Sequence, residues 1–183
     1  MSDDNARFTA LPKKASATLQ RLASNVAGIT PACTKVWSIS TGMLNPEAKS
    51  HAVVADVSAW EGNGRAFLYY FTVTNEVDLS DLERVYIERN AKSERAFARL
   101  MRQSKCLYVG GSQNISQRLK EHLGYGAKGT YAMQLAYWAR ELNLDLAFTC
   151  ARYHDDVGEE NLQALEDTLW DELCPMLGRR GKR

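Results

Sequence analysis

Cysteine is scarce and scattered in this chain. Cys33, Cys106, Cys150 and Cys174 never fall at C-x-x-C spacing, which argues against a zinc site. Three of the four lie in apolar strand-like or helical segments, the usual setting of reduced, buried thiols in a cytoplasmic protein. No apolar run reaches the roughly 18 residues that suggest a bilayer span, so no membrane partner is expected. The opening residues Met1-Ser2-Asp3-Asp4-Asn5 are acidic and polar, unlike a secretory signal. Internal repeats and low-complexity linkers are absent.

Net charge is also nearly absent. The chain carries 23 Lys and Arg against 22 Asp and Glu, a formal charge of +1. That total conceals segregation. Asp78 to Lys105 holds seven basic residues against five acidic ones, and Gly178 to Arg183 has four basic residues in six. Asp155 to Glu172 holds eight carboxylates with no lysine or arginine. Segregated charge on a neutral chain is compatible with one face for nucleic acid, although a charge run is more often a solvated face.

What is present is enough for one ordinary domain with additions. The 183 residues are 45% hydrophobic and 25% charged, a globular rather than disordered composition. Residues 1–64 read as an N-terminal extension packed on a core: a helix from Ala15 to Ala27, then strand-like runs Thr34 to Ser40 and Ala52 to Trp60. Glu61-Gly62-Asn63-Gly64 is a turn signal, followed by a strand from Phe67 to Val73. Residues 74–105 read as a helical insertion, with the capping pattern Ser80-Asp81-Leu82-Glu83 near its start and a second helix from Ser93. The remainder reads as strand Cys106–Val109, helix Gln113–Leu123, helix Thr130–Leu142, strand Leu144–Tyr153 and helix Glu159–Leu173. Trp37, Trp60, Trp138 and Trp170 read as core aromatics.

The most informative stretch runs from Tyr108 to His122. Tyr108-Val109-Gly110-Gly111 is a strand ending in glycines that permit a sharp turn. Asn114 stands where a helix N-cap belongs. Arg118 and His122, four residues apart, share one helix face. A strand tyrosine, an arginine and a histidine converging beside a helix start suit a phosphodiester.

This stretch resembles the second half of the GIY-YIG nuclease signature, and the likeness extends over residues 66 to 178. Tyr108-Val109-Gly110 matches the YIG triplet. Arg118 falls eight residues after the glycine, where the family has its arginine, and His122 follows four later. Glu166 and Pro175, nine apart, match the family's glutamate and proline. The GIY triplet is matched only by Phe67-Leu68-Tyr69, with its glycine lost. Tyr70, on the opposite strand face, is an alternative counterpart. Gly178 stands where the family has an asparagine.

The resemblance implies an α/β (α+β) fold with a small three-stranded antiparallel sheet flanked by helices, spanning residues 65–183. It implies a divalent-metal-dependent DNA endonuclease of restriction type. Glu166 would anchor Mg2+ (or Mn2+), Arg118 would stabilise transition-state charge, Tyr69 or Tyr108 would position the attacking water, and His122 would support Arg118 or a phosphate oxygen. Alternatives are a structure-specific DNA repair nuclease and an inactive nuclease-like module that binds nucleic acid. Arg95, Arg99 and Arg102, at i, i+4, i+7, would share one face of the inserted helix and contact DNA. Lys120, on the Arg118 helix, joins the expected contacts. A palindromic target would favour a homodimer.

Overall fold

The computed structural model describes residues 2–181, and side chains from Phe8 onward. Helix α1 (Ser2–Val26) leads into β1 (Cys33–Ser40). Helix α2 (Ala52–Glu61), β2 (Phe67–Val73), α3 (Leu79–Ala91) and β3 (Cys106–Ser112) follow. Helix α4 (Ile115–Leu123), the one-turn α5 (Leu135–Trp138), β4 (Asp145–Arg152) and α6 (Glu159–Leu173) complete the order. The protein is a mixed α/β structure on one antiparallel sheet, with strand order β1-β4-β2-β3.

The sheet has four strands where three are expected. Strand β1 pairs with β4 along its whole length, with Trp37 opposite Phe148 and Ile39 opposite Leu146. Its alternation explains the addition. Trp37 and Ile39 point into the core, while Val36 and Ser38 point out, the period of a half-buried strand.

Two faces result. Trp37, Ile39, Phe67, Tyr69, Phe71 and Phe148 pack with side chains of α2, α4 and α5 in the main core. On the other face Cys106 and Val109 pack against Trp170 of α6, with Tyr70 beside them. Helix α6 thus lies across the sheet from α4. Helix α1 touches the body mainly along α6, and Arg21 pairs with Glu160 at 3.3 Å.

The expected helix Ala15–Ala27 is found as the longer Ser2–Val26, and three expected elements differ in kind. Residues 52–60, expected as a strand, are helical. Their buried positions Val53, Val57 and Glu61 recur every four residues, a helical period that the β-branched valines mask. His51 caps this helix by accepting from Val53 N–H. Residues 93–104, expected as a second helix, are irregular because their backbone bonds run sideways. Ala98 N–H donates to Ala132 O at 2.9 Å and Met101 N–H to Met176 O at 2.8 Å. The expected helix from Thr130 to Leu142 is reduced to α5 and a 3-10 turn at Arg140–Leu142. Gln134 has a left-handed backbone, φ 59°. Its buried amide donates to Thr130 O and Ala96 O, which fixes the chain as a turn ahead of α5.

Candidate active site

The site grows from the β3–α4 junction. Asn114 caps α4, its side chain accepting from Gln117 N–H at 2.9 Å. A second cap arrives from a distance. The Glu61 carboxylate, only 8% exposed, accepts from Ile115 N–H at 2.7 Å and Ser116 N–H at 3.3 Å. A carboxylate on the first-turn amides of a helix complements both its unpaired donors and its dipole. Helix α4, which carries Arg118, is thereby fixed to the end of α2.

Arg118 reaches over the sheet to both strand tyrosines. Its Nε–H donates to Tyr69 Oη at 3.3 Å and an Nη2–H to Tyr108 Oη at 3.2 Å. It also donates to the Tyr131 carbonyl at 3.1 Å and pairs with Glu121 at 2.8 Å. Burial acts to discharge the guanidinium. The two phenols and Glu121 oppose it, and the net shift is upward, so Arg118 stays charged.

His122 lies behind this layer, completely buried. Its contact is therefore a neighbouring side chain and not a phosphate in solvent. Met133 N–H donates to its Nδ1 at 3.3 Å, which leaves the ring proton on Nε2. Nε2–H then donates to Tyr69 Oη at 2.9 Å. Burial, helped by nearby Arg118, holds the imidazole well below its usual range and hence neutral. The Tyr69 oxygen thus receives two donors. Burial and the neighbouring Tyr108 still push its pKa far above the usual phenol range, so it remains protonated.

Tyr108, Arg118 and Glu166 line one cleft of about 750 Å³, together with Arg99, Tyr131 and Arg179. Glu166 comes from α6, on the opposite sheet face, and reaches the cleft past the glycines of β3. A Cβ on Gly111 would lie 2.7 Å from Glu166 Oε2, and one on Gly110 would lie 2.7 Å from Tyr69 Oη. Two residues without side chains let a carboxylate and a phenol approach the same stretch of backbone from opposite faces. Gly178, with φ 109°, lies against the Tyr108 ring, where a Cβ would stand 3.1 Å from Tyr108 Cε2.

Of the two candidate first tyrosines, Tyr69 joins this group, whereas Tyr70 packs with the α6 cluster. The expected arginine stripe does not form, because residues 93–104 are not helical. Arg95 is tied inward, donating to Gln134, Gly124 O and Gly126 O, with its guanidinium over Tyr137. Arg99 faces the cleft. Arg102 lies over the Trp170 ring. Lys120, half-buried two residues from Arg118, is not among the cleft-lining residues. Two residues of the network escaped sequence reasoning. Glu121 carries a legible signal, its i,i+3 spacing from Arg118. Glu61 carries none, since it acts 54 residues away.

Among the described residues no group of three or more His, Cys, Asp or Glu could hold a metal ion. No helix there is long and apolar enough to cross a membrane. Comparison with protein families, curated proteins and solved structures finds no match to this chain.

Proposed function

We propose that this chain is a divalent-metal-dependent DNA endonuclease of restriction type, with a GIY-YIG-like core. The observation that carries it is the convergence of Tyr108, Arg118 and Glu166 on one cleft, with Tyr69 and His122 in a buried layer behind. Arg118 is a fixed charge whose donors suit the extra negative charge of a phosphodiester transition state. Tyr108, at the cleft wall, is the phenol available to orient a water. Tyr69 is held as an oriented, neutral phenol that fixes Arg118. His122 is a positioning residue acting through Tyr69.

The donor set suits a hard cation. Glu166 offers carboxylate oxygen beside the space left by Gly111, and magnesium or manganese keeps most of its waters and needs few protein oxygens. Bound there, the cation would polarise a phosphate oxygen.

One feature favours a second reading, a nucleic-acid-binding module without catalysis. Of the five guanidinium N–H groups of Arg118, four already have partners in Tyr69, Tyr108, Glu121 and Tyr131. A phosphate would take the remaining one or displace Tyr108.

Incubating the protein with plasmid and branched DNA, with magnesium, manganese or EDTA, separates the readings. Discrete metal-dependent fragments support a restriction-type enzyme, and cuts confined to branches support a repair nuclease. A retained gel shift with intact DNA supports the binding module. Glu166→Ala should abolish cleavage and keep DNA binding. Arg118→Ala should lower turnover by roughly 2.7–4 kcal/mol. Wild-type cleavage by Glu166→Ala would remove the catalytic assignment.

A further inference from the structure

The C-terminal segment adds cations to the cleft. Gly178 N–H donates to Arg99 O at 2.8 Å, and Leu100 pairs antiparallel with Leu177. This bridge sets Arg99 and Arg179 on adjoining backbones, and both line the cleft that holds Arg118 and Glu166. The segment is tied down on the far side of Arg179. Arg180 Nε–H donates to both Asp171 oxygens at 2.9 and 3.0 Å, and Gly181 N–H donates to Asp167 at 3.1 Å.

Among the described residues Arg65, Arg99, Arg102, Arg140 and Arg179 make no side-chain hydrogen bond or ion pair, and of these only Arg99 and Arg179 line the cleft. Arg84, Arg89, Arg95, Arg118, Arg152 and Arg180 all donate to carboxylates, carbonyls or other side chains. A cleft of about 750 Å³ is also larger than one phosphate requires. Two solvent-facing guanidiniums on an anchored backbone suit a second anion, since such donors bind phosphate oxygens in charge-assisted pairs.

We propose that Arg99 and Arg179 form a second phosphate site in this cleft, holding a neighbouring phosphate of the same nucleic-acid strand that Arg118 engages. The proposal rests on reading the cleft as a phosphodiester site. Arg180 acts as the anchor of this site and not as a ligand. The role of Arg99 comes from its bridge to Gly178, not from a helix face. Gly178, Arg179 and Gly181 of the basic tail are part of the cleft wall.

The test is binding of a fluorescein-labelled DNA duplex in EDTA, followed by anisotropy between 50 and 200 mM KCl. Arg99→Gln and Arg179→Gln should each make the log–log salt slope shallower, and the double variant, which loses the one phosphate contact, by about 0.9. The double variant's affinity should then fall about 3.5-fold less than wild type's across that salt range. Arg99→Lys and Arg179→Lys should keep most of the slope, which separates loss of charge from misfolding. Arg84→Gln, on α3 and paired with Asp81 and Glu88, should leave it unchanged. Calorimetry with inorganic pyrophosphate gives a second readout, with binding by wild type and loss in the double variant. An unchanged slope in a folded double variant that still binds DNA overturns the second site and leaves the endonuclease reading standing. Pyrophosphate binding through the two arginines without DNA binding keeps the phosphate site and overturns the endonuclease reading. Binding of neither probe by wild type overturns both.

Discussion

Tyr69 Oη is the point at which two donors meet, the buried His122 Nε2–H and the half-buried Arg118 Nε–H. Tyr69→Phe removes the acceptor and leaves both donors without it. Because Tyr69 and His122 are almost wholly buried, the loss should be about 1–3 kcal/mol of unfolding free energy, read by urea denaturation. His122 makes a pH prediction. Its folded form is neutral with a depressed pKa, while the unfolded chain titrates near 6.5. Below that pH the unfolded state binds the extra proton, so stability falls as pH drops and is fully present above it. The slope from this residue approaches about 1.4 kcal/mol per pH unit. His122→Gln should flatten the curve between pH 6.5 and 5, above most carboxylate titrations. An identical pH profile in the variant would mean that the imidazole takes up its proton as readily in the fold as in the unfolded chain.

At the scale of elements, α4 depends on Glu61 for its start. Glu61→Ala should cost about 1–3 kcal/mol by leaving the Ile115 N–H buried and unpaired, and thermal denaturation measures it. Helix α1 behaves oppositely. Phe8, Leu11 and Leu19 are 71%, 52% and 65% exposed, so Leu19→Ser should change stability by less than about 0.5 kcal/mol. A larger loss would show that another surface covers this helix in solution. The sequence was most legible where one period dominated. Helix α6 is found at Glu159–Leu173 as expected, because Leu162, Leu165, Leu169 and Leu173 keep a helical period. Strand β2 likewise spans Phe67–Val73. Helix α2 was not legible, since valine- and alanine-rich residues fit either period. Residues 93–104 were not legible because their hydrogen-bond partners, Ala132 and Met176, are distant in sequence.

For the molecule as a whole, the fold joins charges that lie far apart in the chain. The basic tail and the acidic α6 meet through Arg180 with Asp167 and Asp171, and Arg179 is left facing the cleft. The grouping of Tyr69, Tyr108, Arg118 and Glu166 was legible through motif spacing. The burial of His122 was not, because spacing assigns a helix face without saying what covers it. The cysteines divide by depth. Burial raises the thiols of Cys106, to about 12, and of Cys150. A maleimide at neutral pH should therefore label Cys33 and Cys174, which are partly exposed, and spare the other pair until denaturant is added. Mass spectrometry of the labelled peptides would show it.

The paired glycines of β3 make the site divisible. A methyl group at residue 110 would press on the Tyr69 oxygen and the Tyr108 ring, and one at residue 111 on the Glu166 carboxylate. At these two residues one peptide thickness of β3 separates the phenols from the carboxylate, which then meets Arg118 at the cleft. Gly111→Ala should push the carboxylate aside, a small movement for a flexible side chain, and leave the guanidinium contacts intact. Gly110→Ala should disturb the phenols and leave the carboxylate where it is. Adjacent single-methyl substitutions thus offer a genetic dissection of the two sides, with neither functional side chain removed.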